Sequence, residues 1–198
     1  MSDIAADTKN NLRRELLKAR ASFTPAYRSA AGLAAAQIFD QQSLFNTSQN
    51  FACYYPQANE FDTTAIIRNL WSAQKNCFLP ITILQPPSLQ FSAYCPDDEL
   101  ILSLHHILVP AQPRYIMPAE IEVFLLPMLG FDLQGNRLGM GQGYYDRSLT
   151  ALVQDKTKNH FILGVGYQAQ LVPEIPHQPW DVLLDGVLTE QNFYLFNR

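Results

Sequence analysis

The segment RLGMGQGYYDR, Arg137 to Arg147, sets glycines at 139, 141 and 143 between two arginines and follows them with two tyrosines and an aspartate. Glycine costs roughly 0.5–1 kcal/mol relative to alanine inside regular structure. A chain with only 9 glycines therefore has a backbone reason for clustering three of them: a mobile loop, or a main chain that something must approach closely. Where such a run joins a strand to a helix, successive N–H groups converge on an anion and the helix N-terminus adds partial positive charge. Phosphate is the natural guest, and side chains at 139, 141 and 143 would obstruct it. Arg137 supplies a guanidinium suited to bidentate phosphate contact. Asp146 has two readings, a carboxylate holding a Mg2+ that bridges phosphate oxygens, or a first-turn acid that satisfies the helix dipole. The spacing is neither that of a P-loop nor the dinucleotide fingerprint, which argues against a nicotinamide cofactor.

Other chemistries find little support. His105 and His106 are adjacent and would point to opposite faces of a strand, and His160 and His177 stand alone, so histidine metal ligation is not expected. No GxSxG elbow occurs and no serine stands beside an evident base. The absence of an obvious nucleophile fits an enzyme whose reaction runs between two bound substrates through positioning and charge stabilisation.

The elements that must position these residues read as a single α/β domain, residues 1–198. Hydrophobic residues make up 47% and charged residues 16%, as in folded soluble proteins. No segment reaches the length of a membrane span, and no secretory signal opens the chain, so cytoplasmic residence is expected. Cys53, Cys77 and Cys95 form no CxxC pair and are odd in number, which suits reduced, mostly buried thiols. The net charge of −4 argues against a nucleic-acid surface. Local basic groups for an anionic small molecule lie in two places, the stretch from Lys9 to Arg20 and the pair Arg137 and Arg147.

Residues 8–21 read as a helix on which Leu12, Leu16 and Ala19 form the apolar side, with Lys9, Arg13, Arg14, Lys18 and Arg20 on other faces. Lys9 and Arg13 are four apart and share a face, which by residue type alone reads as solvated. A second helix starts at Thr24-Pro25, cap then first position, and ends near Phe39. FACYY (51–55) is a buried strand, FDTTAIIRNLWSAQK (61–75) a helix capped by Asp62 or Thr63, and CFLPITI (77–83) a strand; together they form a βαβ unit with parallel strands. LQFSAY from Leu89 is an alternating strand, CPDDEL a turn, and Pro110, Pro113 and Pro118 mark a surface excursion. EVFLLP (122–127) is a central strand, DLQGN (132–136) a turn, YYDRSLTALVQDK (144–156) a helix, and FILGVGY (from 161) and GVLTE (from 186) the last strands. The sum is a three-layer α/β/α arrangement with helices on both faces of a largely parallel sheet.

The segment LLPMLGFDLQGNRLGMGQGYYDR resembles the signature of the 5-formyltetrahydrofolate cyclo-ligase family, also called 5,10-methenyltetrahydrofolate synthetase. KNNLRRELLKAR is similar to the family's N-terminal Lys-x-x-x-Arg helix, YYPQANEFDTTAII to its substrate strand and following helix, and VGYQAQLVPEIPHQPWDVLLDGVLTE to its C-terminal motif. The resemblance implies closure of 5-formyltetrahydrofolate to 5,10-methenyltetrahydrofolate, dependent on ATP and Mg2+, with release of ADP and phosphate. It further implies that the formyl oxygen attacks the γ-phosphate and that the second folate nitrogen then closes the ring.

Carried onto this chain, the resemblance implies Lys9 and Arg13 as ATP contacts, in place of a solvated face. It gives Arg137, Leu138, Gly139, Met140, Gly141, Gln142, Gly143, Tyr144 and Tyr145 as the ATP loop, with Arg137 and Tyr145 catalytic. Folate contacts are Tyr55, Glu60, Met140, Gly141, Gln142, Gly143 and Tyr144, and the Mg2+ ligands are Asp146 and Asp181. Some relatives carry basic residues where this chain has Met140 and Gln142, so phosphate binding here leans on backbone N–H groups, Mg2+ and the cations outside those positions. Trp180, just before Asp181, has two readings, a packing residue or a residue that stacks on the folate. The expected partners are the two small-molecule substrates, with no nucleic acid or membrane, acting on a monomer. The alternative is a non-catalytic nucleotide- or folate-binding regulatory relative.

Overall fold

The computed structural model describes residues 2–57, 59–103, 107–154 and 160–196. His105, His106 and the last two residues expected of the helix after the glycines lie outside the described residues. The first helix, α1, runs Ser2–Ala21 and begins before the expected residue 8. The second, α2 (Pro25–Asp40), starts where its cap chemistry dictates: Thr24 accepts a hydrogen bond from the Tyr27 N–H at 3.2 Å and Pro25 takes the first position. A short α3 (Ser43–Thr47) precedes β1 (Asn50–Ala52), and α4 (Thr64–Ser72) crosses over to β2 (Asn76–Leu84). Thr63 occupies the cap position of α4 but donates its hydroxyl to the Tyr54 carbonyl. The Thr64 N–H is taken instead by Asp62 at 3.0 Å.

β1 and β2 pair in parallel, as the βαβ pattern predicts. β3 (Pro87–Ala93) returns antiparallel beside β2, a β4 (Leu100–Leu102)–β5 (Leu108–Pro110) ribbon stands apart, and β6 (Tyr115–Ile116) closes that edge. β7 (Val123–Pro127) then inserts on the other side of β1. A small β8 (Gly130–Phe131)–β9 (Arg137–Leu138) ribbon leads to α5 (Tyr144–Gln154). β10 (Phe161–Val165), β11 (Gly186–Leu188) and antiparallel β12 (Phe193–Leu195) finish the sheet. The order is β12-β11-β10-β7-β1-β2-β3-β6, parallel through its middle five strands.

Side-chain alternation on the central strands divides the core into two layers. Val123, Leu125, Leu163 and Val165 pack with Phe39, Phe45, Ile66 and Leu70 under α2, α3 and α4. Phe124, Leu126, Ile162 and Val187 pack with Leu149 of α5 and with Leu184 on the opposite face. Each such side chain contributes about 1.5–3 kcal/mol on burial, which is why these strands need both helix layers. α2 lies so close to the turn leading into α4 that a Cβ on Gly32 would lie 2.5 Å from the Asp62 carbonyl oxygen. Cys53 and Cys77 are buried free thiols, whereas Cys95 is exposed. No helix among the described residues is long and apolar enough to cross a membrane.

The chain steps from β1 to β2 in one direction and returns to β7, β10 and β11 in the other. The strand order therefore reverses at the β1–β7 boundary, where parallel sheets open a crevice at the carboxyl ends of their strands. FACYY shows the consequence: the ladder stops at Ala52, and Tyr54 and Tyr55 leave the sheet as walls of that crevice.

Candidate active site

α1 lies along the crevice and supplies one wall. Leu16 is buried against Leu129 and Leu138, and the side chains facing inward with it include Lys9, Arg13 and Arg20, while Ala19 is exposed. The charged residues thus share the apolar side of the helix instead of lying on other faces, because their stems run past Leu16 and Leu12 to place their heads in the cavity.

The glycine run links β9 to α5, and its three glycines do different things. Gly141 and Gly143 have φ of +92° and +66°, left-handed backbone that other residues adopt only with strain. A Cβ on Gly143 would also lie 2.8 Å from the Arg147 guanidinium. Gly139 needs neither exemption: a Cβ there would come no closer than 3.6 Å, to Arg137, so its missing side chain keeps the cavity wall open. Two guanidinium groups moor the loop, Arg13 donating to the Gly139 carbonyl at 3.0 Å and Arg147 to that of Gln142 at 2.6 Å. Arg147 also bonds the Pro87 carbonyl at 2.9 Å and lies over the Tyr144 ring. Uncharged Met140 and Gln142 are therefore flanked by cations delivered from α1 and α5.

Beside the loop, two ion pairs bring four of the expected site residues together. Lys9 meets Asp181 at 2.7 Å and Arg137 meets Asp146 at 2.8 Å. Asp181 also accepts the Gln178 N–H at 2.9 Å, and Asp146 accepts that of Val182 at 3.2 Å, which ties the start of α5 to the loop before β11. The Arg137 side chain is only 6% exposed, its Nε has no partner, and its guanidinium lies 5.7 Å from the Tyr145 ring centroid. No cluster of three or more His, Cys, Asp or Glu side chains suited to a metal occurs among the described residues. Asp146 and Asp181 are nonetheless the kind of carboxylate pair that holds a hard divalent cation when substrate phosphates supply its other oxygens.

At the far end of the crevice stand Tyr54, Tyr55, Glu60, Tyr145 and Arg20. Glu60 accepts the Gln57 N–H at 3.0 Å, and burial raises its pKa against the lowering effects of that bond and of Arg20. Burial and the nearby Glu60 also push the Tyr145 hydroxyl well above its ordinary value, so it is a proton donor at neutral pH and not a base. Tyr167 donates its hydroxyl to the Glu60 carbonyl at 3.2 Å and anchors this wall to β10.

Every site residue expected from the sequence lines one cavity of about 780 Å³, an ample size for small-molecule binding. Arg20 and Trp180 line it too. Trp180 is 66% exposed at the rim, so it is not a packing residue. Arg114 is paired with Asp98 at 2.5 Å away from this cavity. Arg20 was not singled out by the motifs, yet its distance of seven residues from Arg13 was a usable signal, since seven residues are two helical turns.

A model described as the 5-formyltetrahydrofolate cyclo-ligase family matches residues 5–190. The chain belongs to that family, and so to an enzyme family of the ligase class. The chain is 33% identical over 190 residues to a Haemophilus influenzae protein named 5-formyltetrahydrofolate cyclo-ligase, covering 91% of this chain and 96% of that one. A mouse protein of the same name is 26% identical over 191 residues, covering 93% and 94%. Among solved structures, the Aquifex aeolicus 5,10-methenyltetrahydrofolate synthetase superposes with a TM-score of 0.81 at 25% identity, over 96% of this chain and 93% of that one. The mostly parallel sheet and the five α-helices among the described residues are thus the family's fold.

Proposed function

We propose that the chain, acting as one domain and as a monomer in the cytoplasm, converts 5-formyltetrahydrofolate to 5,10-methenyltetrahydrofolate with consumption of ATP and release of ADP and phosphate. The observation that carries this reading is the cavity itself. It joins the glycine loop, with cations and two aspartates beside it, to a tyrosine-walled end holding the partly buried Glu60 carboxylate. One end suits a polyphosphate, and the other suits a flat heterocycle with hydrogen-bonding edges.

In the proposed reaction the formyl oxygen attacks the γ-phosphorus, the bond to the departing ADP oxygen breaks, and an imino phosphate forms. N10 then attacks the formyl carbon, its proton leaves, and the carbon–oxygen bond breaks to release phosphate. Both nucleophiles belong to the folate, in keeping with the lack of an evident protein nucleophile. Lys9, Arg13, Arg137 and the N–H groups of residues 138–145 bind the phosphates. Arg137, held against Tyr145, faces charge that develops during transfer, and Tyr145 serves as a neutral donor. Tyr55, Glu60 and residues 140–144 hold the folate. Asp146 and Asp181 fit a Mg2+ ion, which when bound would neutralise phosphate charge.

The test is spectroscopic. The methenyltetrahydrofolate chromophore should appear only when ATP, Mg2+ and 5-formyltetrahydrofolate are all present. Folded protein that binds both substrates and forms no chromophore would instead be a regulatory relative.

A further inference from the structure

Arg20, in the last turn of α1, is 8% exposed and lines the cavity. Its guanidinium has no hydrogen-bond or ion-pair partner among the described residues, and its Nε is buried without one. A cation is favoured at a helix C-terminus, but that effect does not require burial and leaves the guanidinium's donors unused. Glu60 lines the same end of the cavity with a single hydrogen bond to its carboxylate, from the Gln57 N–H. No ion pair joins Arg20 to Glu60 among the described residues. A buried cation and a partly buried carboxylate that line one cavity and influence each other electrostatically, neither satisfied by the other, form a receptor for something that offers both donors and acceptors.

Resting on the folate reading, we propose that Arg20 is a substrate-positioning residue of the cyclo-ligase site. It holds Glu60 as a carboxylate and donates to the carbonyl edge of the same ring whose N–H edge Glu60 accepts. The pyrimidinone ring of a reduced folate carries such a pattern, a ring N–H and an exocyclic amino group beside a carbonyl oxygen. The groups facing Glu60 are Arg20 from α1, Tyr54 beyond β1, Tyr145 from α5 and Tyr167 beyond β10. The three tyrosines all have raised pKa values and stay neutral across the working range. Arg20 is then the cation that keeps Glu60 charged, against a burial effect that favours its protonated form.

The experiment is equilibrium binding of 5-formyltetrahydrofolate without ATP, from about pH 5 to 9, with ATP binding measured on the same proteins. Arg20→Met should weaken folate binding about tenfold or more, leave ATP affinity nearly unchanged, and move the acid limb of folate affinity to higher pH. Arg20→Lys should return the limb towards its wild-type position without full affinity, since an ammonium lacks the guanidinium fork. Arg20→Met with wild-type folate affinity and acid limb overturns the inference, as does equal loss of folate and ATP binding. Should Arg20→Met not fold, Glu60→Gln carries the test: its folate affinity should lose the acid limb, and a retained limb overturns the inference. A wild-type protein that binds no 5-formyltetrahydrofolate overturns the functional reading and this inference with it. Wild-type binding with indifferent variants overturns the inference alone.

Discussion

The two ends of the cavity handle charge in opposite ways. Beside the glycine loop, Lys9 and Arg137 are each matched to an aspartate at hydrogen-bond distance, whereas buried Arg20 and partly buried Glu60 at the other end form no ion pair among the described residues. Asp181 and Asp146 keep 22% and 24% of their side chains exposed, but Lys9 and Arg137 keep only 14% and 6%, so losing one partner with nothing in its place leaves a poorly solvated charge. Exchange therefore needs a replacement partner for both members of a pair. Binding a cation and a polyphosphate together would replace two carboxylate–cation contacts with carboxylate–metal and cation–phosphate contacts, while either ligand alone would strand one partner of each pair. The far end has no ion pair to exchange among the described residues, and under the proposed reading its unpaired groups await a polar ring.

The largest way to break this contrast is at Arg137. Arg137→Met should lower turnover on the order of 10²–10³-fold in the chromophore assay, the effect of removing one preorganised charge contact. Wild-type turnover would remove the paired end from the chemistry. Next, Asp181→Asn should raise the Mg2+ concentration needed for half-maximal ATP binding, read by calorimetry, at least about tenfold, since loss of even an outer-shell partner can have that effect. In the wild type, Mg2+ should tighten ATP binding, and ATP affinity indifferent to Mg2+ would end the exchange argument.

The glycines sharpen the comparison at smaller scale. Gly143→Ala should lower stability in urea by about 1–2 kcal/mol, because it strains left-handed backbone and meets Arg147. Gly139→Ala should leave stability equal or slightly higher while raising the KM for ATP, because the position is sterically free in the fold and its Cβ would enter the cavity. The smallest effect belongs to the far end. The Glu60 pKa is raised in the folded state, so the folded protein binds more protons than the unfolded chain, and stability falls as pH rises from 4.5 through that raised value. Glu60→Gln should therefore melt at a higher temperature than wild type at neutral pH, with the gap closing in acid, while folate binding weakens. A gap that does not change with pH would show that the carboxylate's charge is not what costs stability.

Much of this was legible in the sequence, for reasons visible in particular residues. The strands around Phe51, Phe124 and Ile162 are buried on both faces and so appear as apolar runs, and Thr24-Pro25 carries its own cap chemistry. β8, β9 and β12 were not legible, because these short pieces are defined by their antiparallel partners and none lies, as three-residue β1 and β11 do, between two strands of the central sheet. The glycine run pointed to the phosphate-like end, though not to the division of labour in which Gly141 and Gly143 shape the turn and Gly139 leaves space. Arg20 was hidden for a different reason. Helical spacing gives the side of α1 it occupies, but only the path of β1 into Tyr54 and Tyr55 shows that this side faces a cavity and not solvent.

The same helix has a consequence for how the two ends stay in step. From Lys9 to Arg20 is eleven residues of continuous α1, about 16 Å at 1.5 Å per residue. The interval between the glycine-loop end of the cavity and the Glu60 end is thus set by a rigid ruler, graduated at Lys9, Arg13 and Arg20, and not by the loops that carry the other groups. Inserting one residue between Arg13 and Leu16 would turn every later mark by about 100°, swing Arg20 off the wall, and leave two well-formed half-sites that no longer measure the same molecule.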